Sequence, residues 1–180
     1  MKKRIETSRL LLRPFTMDDV EASYVMEQDP DVNRYTHDGG VKTREHVEQI
    51  ISKGPLKDYE TYGYGRFAME LKSDGKFIGF TGLKYMQDLG RVDLGYRLTK
   101  AHWGQGLATE AGVASLQFGF EDLDLEEIIA TILPENAASA NVLTKLGFAL
   151  EEELIMHGIP QQLYSLQRAD WQTKPPHINV

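Results

Sequence analysis

The chain has 180 residues, 41% hydrophobic and 26% charged, with a net charge of −7 and no cysteine. That length suits one domain with a sizeable core, and the composition is that of a soluble globular protein rather than a disordered or fibrous one. Without cysteine there is no disulfide scaffold, thiol nucleophile or cysteine-ligated zinc, while the acidic balance argues against nucleic-acid binding and suits an amine-bearing substrate.

The start, Met1-Lys2-Lys3-Arg4, is basic but runs into Ile5-Glu6-Thr7-Ser8, which lacks the apolar core of a signal peptide. Arg9 to Arg13 is expected to be a strand ended by Pro14, with Thr16 capping a helix that runs to about Gln28. Thr43 opens a second helix, with Val47, Ile50 and Ile51 at helical spacing and Gly54-Pro55 closing it. From Arg66 the period changes to two: Arg66 to Leu71, a Ser73-Asp74-Gly75 turn and Lys76 to Lys84 form a hairpin, and Arg91 to Leu98 adds a third strand. Gly106 to Phe120 places Leu107, Ala111, Ala114 and Phe118 on one helical face. Ile128 to Leu133 is a short buried strand, and Ala137 to Leu146 a helix stopped by Gly147. Phe148 to Met156 and Gln162 to Gln167 form a last hairpin across His157-Gly158-Ile159-Pro160.

The result is a mixed α/β order in one domain over residues 1–172, with a loose tail over 173–180. No apolar run approaches the ~18 residues of a membrane span, and a cytoplasmic protein without membrane partners is expected.

The segment with most chemistry is Val92-Asp93-Leu94-Gly95-Tyr96-Arg97-Leu98 followed by Trp103-Gly104-Gln105-Gly106-Leu107-Ala108-Thr109-Glu110-Ala111. A strand, a glycine-containing loop and a helix start build an anion site, because unpaired N–H groups point outward and the helix dipole adds to them. Local N–H groups let an acidic protein hold a polyanion. A tight strand-to-helix turn would carry the same glycines, but a Walker loop lacks its Gly-Lys-Ser/Thr here, and a dinucleotide fingerprint wants a small residue at Thr109.

Trp103-Gly104-Gln105-Gly106-Leu107-Ala108 resembles the coenzyme A loop of the GNAT superfamily of N-acetyltransferases, Gln/Arg-x-x-Gly-x-Gly/Ala, with Trp103 in place of the usual first residue. Trp-Gly-x-Gly-x-Ala-Thr-Glu-Ala is similar to the form found in its RimJ/RimL-like branch. Pro134 to Phe148 resembles that branch's Glu-Asn-x-x-Ser…Lys-x-Gly-Phe helix, and Glu6 to Pro14 its opening. The resemblance implies a GNAT fold: a mixed, mostly antiparallel, splayed sheet of about six or seven strands flanked by helices.

It also implies acetyl-CoA as cosubstrate, without a metal. The main chain of Gly104, Gln105, Gly106, Leu107, Ala108 and Thr109 would cradle the pyrophosphate, and Tyr96, Arg97 and Leu98 would pair edge-on with the pantetheine arm. Asn136, and Asn141 further along the same helix, are implied in coenzyme binding; Asn136 is equally a good helix N-cap.

Acetyl transfer needs a neutral amine, a donor for the carbonyl oxygen as it gains charge, and a proton for the departing thiolate. Many relatives carry a glutamate base on the strand before the loop, and Asp93 stands there; a solvated strand aspartate and an ion-pair partner are the other readings of that residue. Alternation places Asp93, Gly95 and Arg97 on one face. Where many relatives have a tyrosine acid this chain has Leu143, so Ser139 is the candidate acid, against a helix-surface serine bonded to a backbone carbonyl. A strand N–H near Tyr96 to Leu98 could meet the oxyanion.

His37, His46, His102, His157 and His177 lack metal-ligand spacing, and Tyr59, Tyr62 and Tyr64 with Gly63 and Gly65 suggest either a loop leading into the strand at Arg66 or a substrate lid. The acceptor implied by the RimJ/RimL resemblance is a protein N-terminal α-amine; a small-molecule amine (polyamine, amino acid or antibiotic) and an acyl-CoA sensor without turnover are the alternatives. Homodimers are common among such relatives.

Overall fold

The computed structural model describes residues 3–36, 40 and 42–173. Eight strands join in one sheet in the order β1-β2-β3-β4-β5-β6-β8-β7. They are β1 (Ile5–Glu6), β2 (Leu10–Pro14), β3 (Arg66–Leu71), β4 (Phe77–Met86), β5 (Arg91–Leu98), β6 (Glu127–Ile132), β7 (Ala149–Met156) and β8 (Ile159–Gln167). All neighbours are antiparallel except β5 and β6. The strand beyond the expected six or seven is β1, two residues long and paired to β2 through Ile5 and Leu12. It is too short to show a period.

The helices are α1 (Val20–Glu27), α2 (Arg44–Lys53), α3 (Pro55–Tyr62), α4 (Leu107–Gln117), α5 (Ala137–Leu146) and α6 (Arg168–Thr173). Helix α3 was not foreseen: Pro55, taken as a stop for α2, occupies its first turn, where a missing N–H costs nothing. The stretch Tyr59 to Gly65, expected as a loop or a lid, is instead helical through Tyr62. Tyr59 belongs to α3, donates its hydroxyl to the Arg66 carbonyl and accepts the Phe15 N–H at 2.9 Å, which fixes α3 to the end of β2. The last hairpin is also longer than expected, since Ile159 and Pro160 already pair with Met156 and Ile155. Of the predicted loose tail, Thr173 ends α6 and the remainder lies outside the described residues, as do His37 and His177.

Two apolar clusters divide the residues of the central strands. Leu10, Leu12, Phe67, Met69, Ile78, Leu83 and Leu94 pack with Leu107, Ala111, Leu116, Leu143 and Leu146 of α4 and α5. Phe15, Val20, Val47, Ile51 and Ala68, with Tyr59, Phe77 and Phe80 against them, form the second cluster under α1 to α3. Alternate side chains of a strand take opposite faces, so the sheet is a middle layer with helices on both sides. Among the described residues no helix is long and apolar enough to cross a membrane.

Candidate active site

Strand β5 is paired differently along its two edges. Towards β4 it is in register throughout, from Gly79 opposite Leu98 to Met86 opposite Arg91. Towards β6 the only registered pair is Asp93 with Ile129. From Gly95 to Leu98 the strand has no β6 partner, so one edge of its main chain is free beside a gap between two diverging strands. The resemblance implies the pantetheine arm beside Tyr96, Arg97 and Leu98, which lie on this edge.

Above the gap, Trp103 anchors the connection by donating its indole N–H to the Leu98 carbonyl at 2.8 Å. Gly104 and Gly106 then have φ of +71° and +77°, a region that suits glycine. A Cβ on Gly104 would meet nothing within 4 Å, so the space over this turn is open. Gly106 caps α4 without any side-chain hydrogen bond. Among the described residues no acceptor faces the N–H groups of Gly104, Gln105, Gly106, Leu107, Ala108 or Thr109; the first paired N–H is that of Glu110, to Gly106. Six uncapped donors at a helix start fit a diphosphate.

Helix α5 begins against the other side of the gap. Asn136 accepts the Ser139 N–H at 3.1 Å through its side-chain oxygen, so it is an N-cap and its amide nitrogen remains available. Ser139 is half-buried, and its side chain lies within hydrogen-bonding reach of the Tyr96 hydroxyl. Tyr96 donates its hydroxyl to the Ser139 carbonyl at 3.2 Å, and burial pushes its pKa up to about 12, which keeps it protonated. This contact between strand and helix had no sequence signal. Leu143 lies fully buried in the core. Asn141 is exposed, and two residues on from Ser139 it is turned roughly 200° around the helix from that serine.

The opposite face of the sheet carries a charged row. Asp93 is 4% exposed; one oxygen accepts the Thr131 N–H of β6 at 3.1 Å and the other meets Arg66 Nη2 at 3.3 Å. It thus bridges the strands at the vertex of the gap. Burial raises its pKa from the ordinary carboxylate value, while Arg66 and the Thr131 N–H pull the other way. The guanidinium of Arg66 lies over Phe80 and over Gly95, where a Cβ would come within 2.4 Å of Nη2. Arg97, on the same face, stacks on Phe80 and binds Glu27 of α1 at 2.6 Å. The expected alternation holds, and it separates the side chain of Arg97 from that of Tyr96. Arg66 and Glu27 were not singled out in the sequence; their roles arise only when β3 and α1 pack on β5.

A cavity of about 330 Å³ lies by the β7–β8 hairpin, lined by Pro134, Glu153, Leu154, Ile155, Pro160 and Gln161. Gln161 is 1% exposed, and its amide nitrogen has no hydrogen-bond partner among the described residues. Pro134 is two residues from Asn136, which puts the cavity near the start of α5.

Residues 9–149 match the acetyltransferase (GNAT) domain family. An uncharacterised N-acetyltransferase p20 of Bacillus licheniformis is 31% identical over 147 residues, covering 81% of this chain and 82% of its own. Spermidine N(1)-acetyltransferase of Escherichia coli K12 is 24% identical over 145 residues, 80% of this chain and 75% of its own. Among solved structures, a GNAT acetyltransferase from Bacillus anthracis superposes with a TM-score of 0.80 at 28% identity, over 93% of this chain and 99% of that one. RimL, a ribosomal L7/L12 α-N-protein acetyltransferase in complex with coenzyme A, shares the fold at 16% identity, with a TM-score of 0.78 over 92% and 98%. With its splayed sheet, its uncapped glycine loop and a family match across most of its length, the chain belongs to the GNAT acetyltransferases, enzymes that use acetyl-CoA as cosubstrate.

Proposed function

We propose that the protein acetylates an α-amine, most fittingly a protein or peptide N-terminus, with the coenzyme's phosphates on the N–H groups of residues 104–109 and its arm in the gap between β5 and β6. The thioester supplies the acyl group; the protein orients it and moves protons. The N–H groups of Tyr96 and Leu98, on the strand edge without a β6 partner, face the carbonyl oxygen as it gains charge. Ser139 gives its proton to the departing sulfur and regains one from solvent, and Asp93 takes the amine's proton through a water.

The observation that favours an α-amine is the engagement of Asp93. With its oxygens held by Arg66 and by the Thr131 N–H, it is a poorly placed base. An α-amine has a reference pKa of ~7.7–8.0 against ~10.4 for lysine, so neutralising lysine costs ~2.5 units more, or ~3.4 kcal/mol. A weak base suffices for the first. A polyamine is the second reading, supported by the likeness to spermidine acetyltransferase and by the exposed run Glu151-Glu152-Glu153 on β7, of which Glu153 lines the cavity. The test is thiol release from acetyl-CoA at pH 7 with a peptide offering only an α-amine, a peptide offering only lysine, and spermidine. The first is expected to be preferred; preference for spermidine would establish the second reading, and no release with any of the three would favour a sensor.

A further inference from the structure

The opening block Glu6 to Pro14 has no part in the mechanism above, yet its turn is tied closely to the coenzyme loop. Glu110, in the first turns of α4, is 2% exposed. One of its oxygens accepts from the Thr7 hydroxyl at 2.5 Å, the Ser8 hydroxyl at 3.1 Å and the Arg9 N–H at 2.8 Å; the other accepts from Arg9 Nε at 2.6 Å. Burial pushes the Glu110 pKa up, but the bonds from Thr7 and Arg9 together outweigh it and hold the carboxylate ionised. Arg9 in turn donates Nη1 to the Gln105 carbonyl at 2.9 Å, and its Nη2 would lie 3.6 Å from a Cβ on Gly106.

A guanidinium beside a helix N-terminus opposes the helix dipole, so its place there has to be offset, and the buried Glu110 offsets it. A mere staple between the N-terminal turn and α4 would need only the pairing of Nε with Glu110. The bond to Gln105 does something more. In a planar trans peptide the carbonyl and the following N–H point in opposite directions. With the Gln105 carbonyl drawn to Arg9, the Gly106 N–H is turned to the other side of the loop, and that N–H has no acceptor among the described residues. Bonding that carbonyl to a cation also polarises the peptide and strengthens its N–H as a donor.

We propose that Arg9, fixed by Glu110, is a positioning residue for coenzyme binding: from behind the loop it sets the Gln105–Gly106 peptide so that its N–H faces the diphosphate. This rests on the reading of residues 104–109 as the phosphate site. It assigns the Thr7-Ser8-Arg9 turn to coenzyme recognition without direct contact, and it predicts a defect confined to phosphate-bearing ligands.

The test compares calorimetric affinities for coenzyme A and for S-acetylpantetheine, which has no diphosphate, in the wild type, Arg9→Gln and Arg9→Lys. Arg9→Gln should weaken coenzyme A by ~10-fold, the size of one lost charged hydrogen bond, and leave S-acetylpantetheine unchanged. At saturating acetyl-CoA its kcat should stay near that of the wild type while KM for acetyl-CoA rises. Arg9→Lys keeps the charge but cannot span both Glu110 and Gln105, so it should recover only part of the loss. It also serves if the glutamine variant fails to fold, since thermal melting identifies that case. Equal weakening of both ligands, or an unchanged ratio in either folded variant, would overturn the role of Arg9. A wild type that binds both ligands equally would instead sink the phosphate reading of the loop.

Discussion

The two sides of the gap between β5 and β6 are built from different materials. The proposed coenzyme side is main chain: two positive-φ glycines, six uncapped N–H groups and a strand edge without a partner. The proposed acceptor face is side chain: Asp93 and Arg97 from β5, Arg66 from β3, Phe80 from β4 and Glu27 from α1. A main-chain site is specified by a short contiguous segment, because glycine spacing and a helix start define the local geometry. A side-chain site depends on which elements pack together, and residues that meet across 70 positions, as Glu27 and Arg97 do, leave no local trace.

The largest expected effect separates chemistry from binding on the α5 side. Ser139→Ala should lower kcat by ~100-fold, the low end for loss of a general acid, with coenzyme A affinity unchanged by calorimetry. Full kcat in that variant would move the acid role elsewhere, with the protonated hydroxyl of Tyr96 next in line.

On the main-chain side, Gly106→Val forces a β-branched residue to φ near +77°, a strain of ~1–3 kcal/mol that the loop can relieve only by abandoning its conformation. Coenzyme A affinity should fall ~10-fold or more. Space is not the obstacle, since the nearest atom to a Cβ there is Arg9 Nη2 at 3.6 Å. If calorimetry gave an unchanged affinity, the loop would not be the phosphate site.

On the side-chain face, the pH–rate profile reports Asp93. Because burial raises its pKa, the carboxylate protonates at a higher pH than an ordinary aspartate, so kcat/KM should fall on acidification through a pKa above the usual range. Asp93→Asn should abolish that limb. Gly95→Ala pushes the Arg66 guanidinium aside and weakens the pull that lowers the Asp93 pKa, so the limb should move to still higher pH. An unmoved limb in Gly95→Ala would mean that Arg66 does not tune this carboxylate. The smallest effect is that of Tyr96→Phe on folding: losing its bond to the Ser139 carbonyl should cost ~0.5–1.5 kcal/mol in a denaturant titration.

The same distinction explains what could be read from the sequence. The strands β2 to β6 and the helices α4 and α5 carry clean periods and stop signals such as Gly147, whose φ of +94° closes α5. The splay itself was legible only through the resemblance, since nothing in the apolar pattern of Glu127 to Ile132 says that its ladder with β5 stops after one pair. Helix α3 was missed because a proline that begins a helix looks locally like one that ends the helix before it. The sequence offered Asp93 as an ion-pair partner without saying with what. Its partners Arg66 and Thr131 lie 27 and 38 positions away.

The central claim is that the coenzyme is held by main-chain donors, and amide hydrogen exchange with and without coenzyme A tests it most directly. Gly104 to Thr109 start without acceptors, so their amides should exchange fast in the free protein and slow markedly on binding, as should those of Tyr96 and Leu98, which alternate with the amides bonded to β4. The amides of Arg66 to Glu70, already paired in β3 on the acceptor side, should change little. Tight binding of coenzyme A with no slowing at Gly106, Leu107, Ala108 and Thr109 would contradict the account.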